Sequence, residues 1–177
     1  ALPIFEQVRD FLSDMNAPPE TEAERHRMTS TLHALEHASR LIEILGEGES
    51  ARTGPAASHD PRAAALCEQA MRATQTISAS ITAESALTVQ AEPIGWAASA
   101  EVAAALAEAE KASTALDAMQ RDHRAATLAA VAPGELTATE AFAQIDAARR
   151  IDRIVHHAWR SAAHLLGRAS PRAGATA

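Results

Sequence analysis

Residues 137–167, TATEAFAQIDAARRIDRIVHHAWRSAAHLLG, decide how this chain is read. Thr137 and Glu140 stand at capping-box spacing, so each side chain can take up a free backbone N–H at the start of a helix. Gly167 closes the stretch with the residue type that most readily turns left-handed beyond a helix end. Between them Ile145, Ala148, Asp152, Val155, Trp159, Ala162 and Leu166 recur at alternating spacings of three and four, the pattern of a buried helical seam. One member of that seam is a carboxylate. Asp152 is therefore expected to face the core, with His156 one turn on at the seam's edge. An aspartate so placed needs a partner or must lose its charge.

The rest of the chain supplies partners for this helix. Pro133-Gly134 turns into it from a preceding helix, Ala98 to about Val131, which carries Val102, Leu106, Leu116, Met119 and Leu128. Asp60-Pro61 pairs an N-cap residue with proline at the first helical position, opening a helix to about Ala86 with Leu66, Met71, Ile77 and Ile81. A second capping box, Thr21 and Glu24, opens a helix to about Leu45 whose apolar arc is Met28, Leu32, Leu35, Leu41, Ile42 and Leu45. Leu2 to Met15 reads as a short amphipathic leader. Gly46 to His59 has the composition of an exposed loop, Val89 to Gly95 that of a connection, and 168–177 that of a disordered tail. The fold expected is all-α: an antiparallel bundle of four long helices plus a short N-terminal helix, forming one domain over residues 1–167 with the last helix central. Trp96 and Trp159 are expected to fill core space.

Composition narrows the function. The 177 residues carry a formal net charge of −7, which argues against a nucleic-acid partner. Arginines do gather towards the C-terminal end, and a solvated face explains them. Cys67 is the only cysteine, so neither an intrachain disulfide nor a cysteine-based zinc site is available, and a reducing, cytoplasmic setting is expected. No apolar run is long enough to span a bilayer. The chain opens Ala-Leu-Pro-Ile-Phe without an initiator Met, as a mature chain or a piece of a longer protein would. Neither a nucleophile elbow, a phosphate-binding loop, a dinucleotide fingerprint nor a Glu-x-x-His motif occurs, so a non-catalytic role is expected.

Two helices echo one another. Leu32-His33-Ala-Leu35-Glu36-His37 and Ile151-Asp152-Arg-Ile154-Val155-His156 share apolar and ligand-type positions, with His33/His37 and Asp152/His156 each stacked one turn apart. On these two runs, with Gly134-Glu-Leu-Thr, Glu140-Ala and Asp146, the chain resembles the PhoU-like family of helical bundles. It looks most like the variant domain on the cytoplasmic side of sodium/phosphate cotransporter-type membrane proteins. The resemblance implies a regulatory module in phosphate uptake or its control, docking on a membrane phosphate transporter or a signalling protein, with a homodimer as an option. Where the family motif has paired carboxylates, this chain departs from it with His33/His37 and Asp152/His156.

These four residues are the candidate metal ligands, a nitrogen-rich set suited to a divalent transition metal such as zinc, nickel, copper or iron. Glu36 and His157 are near enough in sequence to support them. The plainer reading places His33 and His37 on the solvated side of their helix and pairs Asp152 with an arginine such as Arg124 or with a histidine. His26, His59 and His123 read as exposed, and His164 as lying on the polar side of the last helix. Two further functions stay open: a histidine phosphotransfer protein using His33 or His37, and a small metal-binding bundle.

Overall fold

A computed structural model describes residues 6–10, 13, 19–47, 60–88 and 99–167, with backbone alone for 84–88. Four long helices carry the fold: α1 (Glu22–Gly46), α2 (Pro61–Thr88), α3 (Ala100–Ala129) and α4 (Ala138–Leu165). Residues 6–10 are also helical, and no strand occurs among the described residues. The chain is an all-α helical bundle, as its periodicity requires. The expected loop after residue 47, the connection around Pro93, Trp96, His59 and the tail 168–177 lie outside the described residues.

Local chemistry sets the helix ends. Thr21 Oγ1 accepts the Glu24 N–H at 3.2 Å while Glu24 accepts the Thr21 N–H at 3.0 Å. Thr137 and Glu140 repeat the exchange at 3.2 and 2.8 Å. These bonds hold both glutamates below the usual carboxylate range, because they stabilise the charged form. Between α3 and α4 the Ala130 carbonyl accepts the N–H groups of Glu135 and Leu136, and Gly134 takes φ 79° in the turn. Gly167 lies at φ 63° beyond α4, the conformation its residue type favours.

α4 packs against all three other long helices, whereas among the described residues α1 contacts no long helix but α4. The core therefore lies in a three-helix unit of α2, α3 and α4. One cluster gathers Ile77, Val102, Leu106, Ala109, Ala162 and Leu166; a second gathers Ala70, Ala112, Leu116 and Val155. Alanines at many of these positions let the helix backbones approach closely. Of the expected seam, Ile145, Ala148, Val155, Ala162 and Leu166 are buried, but Asp152 and Trp159 are half-buried. Trp159 packs on the rim of the first cluster, and the Arg160 guanidinium lies 5.2 Å from its ring. It is a covered edge rather than central filler.

α1 runs antiparallel along the other side of α4. The Ser161 hydroxyl donates to the Ala34 carbonyl at 3.0 Å, and Arg150 donates to the Ile44 carbonyl at 3.1 Å. Ala34 and Ile44 are buried there. Of the expected apolar arc, Met28, Leu35, Leu41 and Ile42 are half-buried, while Leu32 is 48% and Leu45 52% exposed. Arg9 and Ser13 of the leader share a groove of about 430 Å³ with Leu32, Leu35, Glu36 and Glu43 on the outer face of α1. The face that meets α4 carries the buried Ala34 and Ile44 together with the half-buried His37, while the charged residues Arg25, Arg27, Glu36, Arg40, Glu43 and Glu47 are exposed.

Candidate functional site

His33 and His37 on α1 meet His156, His157 and His164 on α4. The antiparallel register sets His37 opposite His157, with Nδ1 to Nδ1 at 2.9 Å. At that distance one ring must donate and the other accept, so at least one is neutral. The His37 ring centroid lies 5.2 Å from that of His157, 5.7 Å from that of His164 and 5.9 Å from that of His156. His33 and His164 lie 5.0 Å apart. His37 is the hub. It is half-buried, against the expectation of a solvated position, whereas the His33 side chain remains 51% exposed.

Crowding sets the charge state. Burial, then the neighbouring His157, Arg160, His156 and His164, pull His37 down to about 4. His157 is lowered by burial, His156, Arg153 and Arg40, with Glu36 opposing. His164 is lowered by burial, Arg160 and His33, with Glu36 again opposing. All three rings are therefore neutral at physiological pH. The surrounding guanidinium groups are engaged elsewhere: Arg40 with Glu43 at 3.0 Å, Arg153 with Glu47 at 3.7 Å, and Arg160 over Trp159.

Of the four residues expected to share an ion, His37 meets His156 across the α1–α4 contact and His33 meets His164 beside it, whereas Asp152, one turn before His156, interacts with Cys67 and Asp117. Asp152 is half-buried towards Cys67 of α2 and Asp117 of α3. Burial and the Asp117 charge raise its pKa, and the expected arginine or histidine partner is replaced by a like charge and a thiol. Cys67 is likewise half-buried, its thiol pushed up by burial and by Asp152, which leaves it a poor nucleophile. A carboxylate whose folded pKa is raised destabilises the fold at neutral pH. Asp152→Asn is accordingly expected to leave the urea midpoint at pH 7 unchanged or higher; a clear drop would reveal a favourable partner for the charge.

Two other histidines also depart from expectation. His123 is 2% exposed, with neither ring nitrogen hydrogen-bonded, instead of lying in solvent. His164 is half-buried, and its Nδ1 is sealed from water without a partner. The sequence did carry a signal for the second: His157 and His164 are two turns apart, on one face, as His33 and His37 are one turn apart. His26 is exposed as expected. Among the described residues no group of three or more His, Cys, Asp or Glu side chains is placed so that it could hold a metal ion.

No family model, curated protein or solved structure matches this chain. Function must be argued from the imidazole seam itself.

Proposed function

We propose that this chain is a non-catalytic regulatory module in which the docking of α1 on α4 is the switch. One observation carries the reading: among the described residues the only long helix that α1 contacts is α4, across an interface that sets a histidine hub beside the buried Ala34 and Ile44. An arm attached on one side, through neutral imidazoles, two hydrogen bonds to backbone carbonyls and the buried Ala34 and Ile44, can leave without dismantling the three-helix core. Any ligand or partner that binds the docked and undocked forms unequally shifts their populations. The resemblance to the PhoU-like family supplies the context, control of phosphate uptake through a membrane transporter or a signalling partner. Among the described residues no helix is long and apolar enough to cross a membrane, so the transporter itself would be a separate segment or chain.

The phosphotransfer reading has less behind it. His37 is half-buried against His157, and the exposed His33 stands 3.7 Å from the Glu36 carboxylate, which would repel a phosphoryl donor.

Ile44→Asp tests the switch, because it places an unpaired carboxylate in the buried part of the α1–α4 contact. Deleting the coding sequence from its host is expected to change the rate of labelled phosphate uptake, and the wild-type chain to restore it. Ile44→Asp, with α2–α4 still helical by circular dichroism, is expected not to restore it. Unchanged uptake in the deletion strain would rule out the phosphate context. Full restoration by the undocked variant would rule out the switch.

A further inference from the structure

We infer that α1 leaves α4 from its histidine end and pivots on Arg150, whose guanidinium holds the C-terminal end of α1. The inference rests on the reading of α1 as a docking arm, but not on any link to phosphate. Ser161 at Ala34, His157 at His37 and Arg150 at Ile44 mark the antiparallel register of the contact. Its two ends differ in chemistry. Residues Glu22 to Arg27, ahead of the histidines, are all exposed, so the first turns of α1 bury little. The Ser161 hydrogen bond falls on Ala34, in the interior of α1, where the carbonyl already accepts the N–H four residues on. Losing that bond orphans no backbone group. The rings beside it are neutral. Arg40, Arg153 and Arg160 oppose a charge on them, as the neighbouring His33 and His156 do, and Glu36, with Arg9 of the leader nearby, favours one. Protonation of His37, His157 or His164 therefore works against the contact.

The other end resists that change. Ile44 is 0% exposed, the best covered large side chain of α1. Its carbonyl is one of the last four of the helix, which have no N–H partner within it, and Arg150 Nη2 donates to it at 3.1 Å. Arg150 Nε is sealed from water, so the guanidinium is inserted into the contact rather than laid over it. A cation at this point also meets the negative end of the helix dipole, and α1 has no basic residue of its own in its last turn. Arg153 adds a longer contact to Glu47, just beyond the helix, at 3.7 Å. A guanidinium stays charged across the range in which histidines titrate. Acid therefore loosens one end of α1 and leaves the hold on the other as it was.

An undocked stretch of helix is marginal on its own, so amide exchange reads departure from α4 along the length of α1. Exchange is followed residue by residue on the full chain by NMR at pH 7 and pH 5, normalised for intrinsic rate. Amides of residues 29–38 are expected to lose at least ten times more protection than those of 41–46. Arg150→Met keeps the apolar stem and removes the charge and the donors, and in it the two groups should fall together. Arg149→Met, at the exposed neighbouring position, should keep the wild-type difference. Circular dichroism of each variant shows whether the helices persist. Should Arg150→Met unfold, Arg150→Lys decides, with a smaller difference expected because an ammonium lacks the planar fork. Equal loss across 29–46 in the wild type, earlier loss at 41–46, or a difference untouched by either Arg150 variant would overturn the pivot. Equal loss along α1 with α3 still protected would leave the docking switch standing, whereas equal loss in α1 and α3 would remove the switch as well.

Discussion

Replacing Leu116 with alanine should lower the unfolding free energy by about 2–5 kcal/mol. Leu116 is 0% exposed on α3, in the cluster where Ala70 of α2 and Val155 of α4 also meet. Ala70 and Ala112 beside it are already small, so little can move in to refill the space, and the upper part of that range is expected. A domain of this size is typically stable by roughly 5–15 kcal/mol, which makes the loss a large share of the total. Leu32→Ala is the control, since Leu32 is nearly half exposed and surface changes usually stay within about 0.5 kcal/mol. Urea denaturation followed by circular dichroism measures both. Equal midpoints for the two variants would contradict the three-helix core.

Acidification should release α1 before the three-helix unit unfolds. His37 has a folded pKa of about 4 against an ordinary 6.5, so the undocked form takes up a proton more readily than the docked one. Its contribution to docking is complete above pH 6.5 and is lost as pH falls from 6.5 towards 4. His157 and His164 are shifted in the same direction. The groups facing this cluster are His33, Glu36 and Arg40 on α1, and Arg153, His156 and Arg160 on α4, with Arg9 of the leader near Glu36. Glu36 opposes the shift, but the arginines outnumber it. After allowance for solvent screening at these half-exposed rings, His37 alone should weaken docking by about 1–2 kcal/mol across the window. The capping glutamates Glu24 and Glu140, with lowered pKa values, weaken the helix ends only as pH falls below the ordinary 4.5, so the two effects separate. Hydrogen exchange of α1 amides between pH 7 and 5, normalised for intrinsic rate, reads the release. Wild-type α1 should lose protection relative to α3, and His37→Gln should show a flatter profile. Protection that falls equally in α1 and α3 would mean that docking and folding are one event.

Helix boundaries were legible in the residues because their causes are local. Thr21/Glu24, Asp60-Pro61, Thr137/Glu140, Gly134 and Gly167 act within a turn of themselves, and each stands where its chemistry puts it. The α4 seam was legible for the same reason that α4 is central. A helix touched on several sides needs apolar residues at regular spacing, and Ile145, Ala148, Val155, Ala162 and Leu166 supply them.

The direction each remaining face looks is a property of what lies opposite. Reading α1 by its largest apolar residues alone misses that α4 offers it His157, Ser161 and His164 as well as apolar surface, so His37 turns inward beside Ala34 and Ile44 while Leu32 and Leu45 face outward. Asp152 and His156 look like one vertical pair along the chain. They share a face of α4 but meet different neighbours on consecutive turns, Asp117 and Cys67 for the first and His37 for the second. His123, in a charged run, is buried by the packing around α3, which no local pattern announced. Sequence alone thus determined the helices, their ends and the central one among them. Tertiary structure decided which polar groups meet, because apolar periodicity records how much of a helix is buried and not what it is buried against.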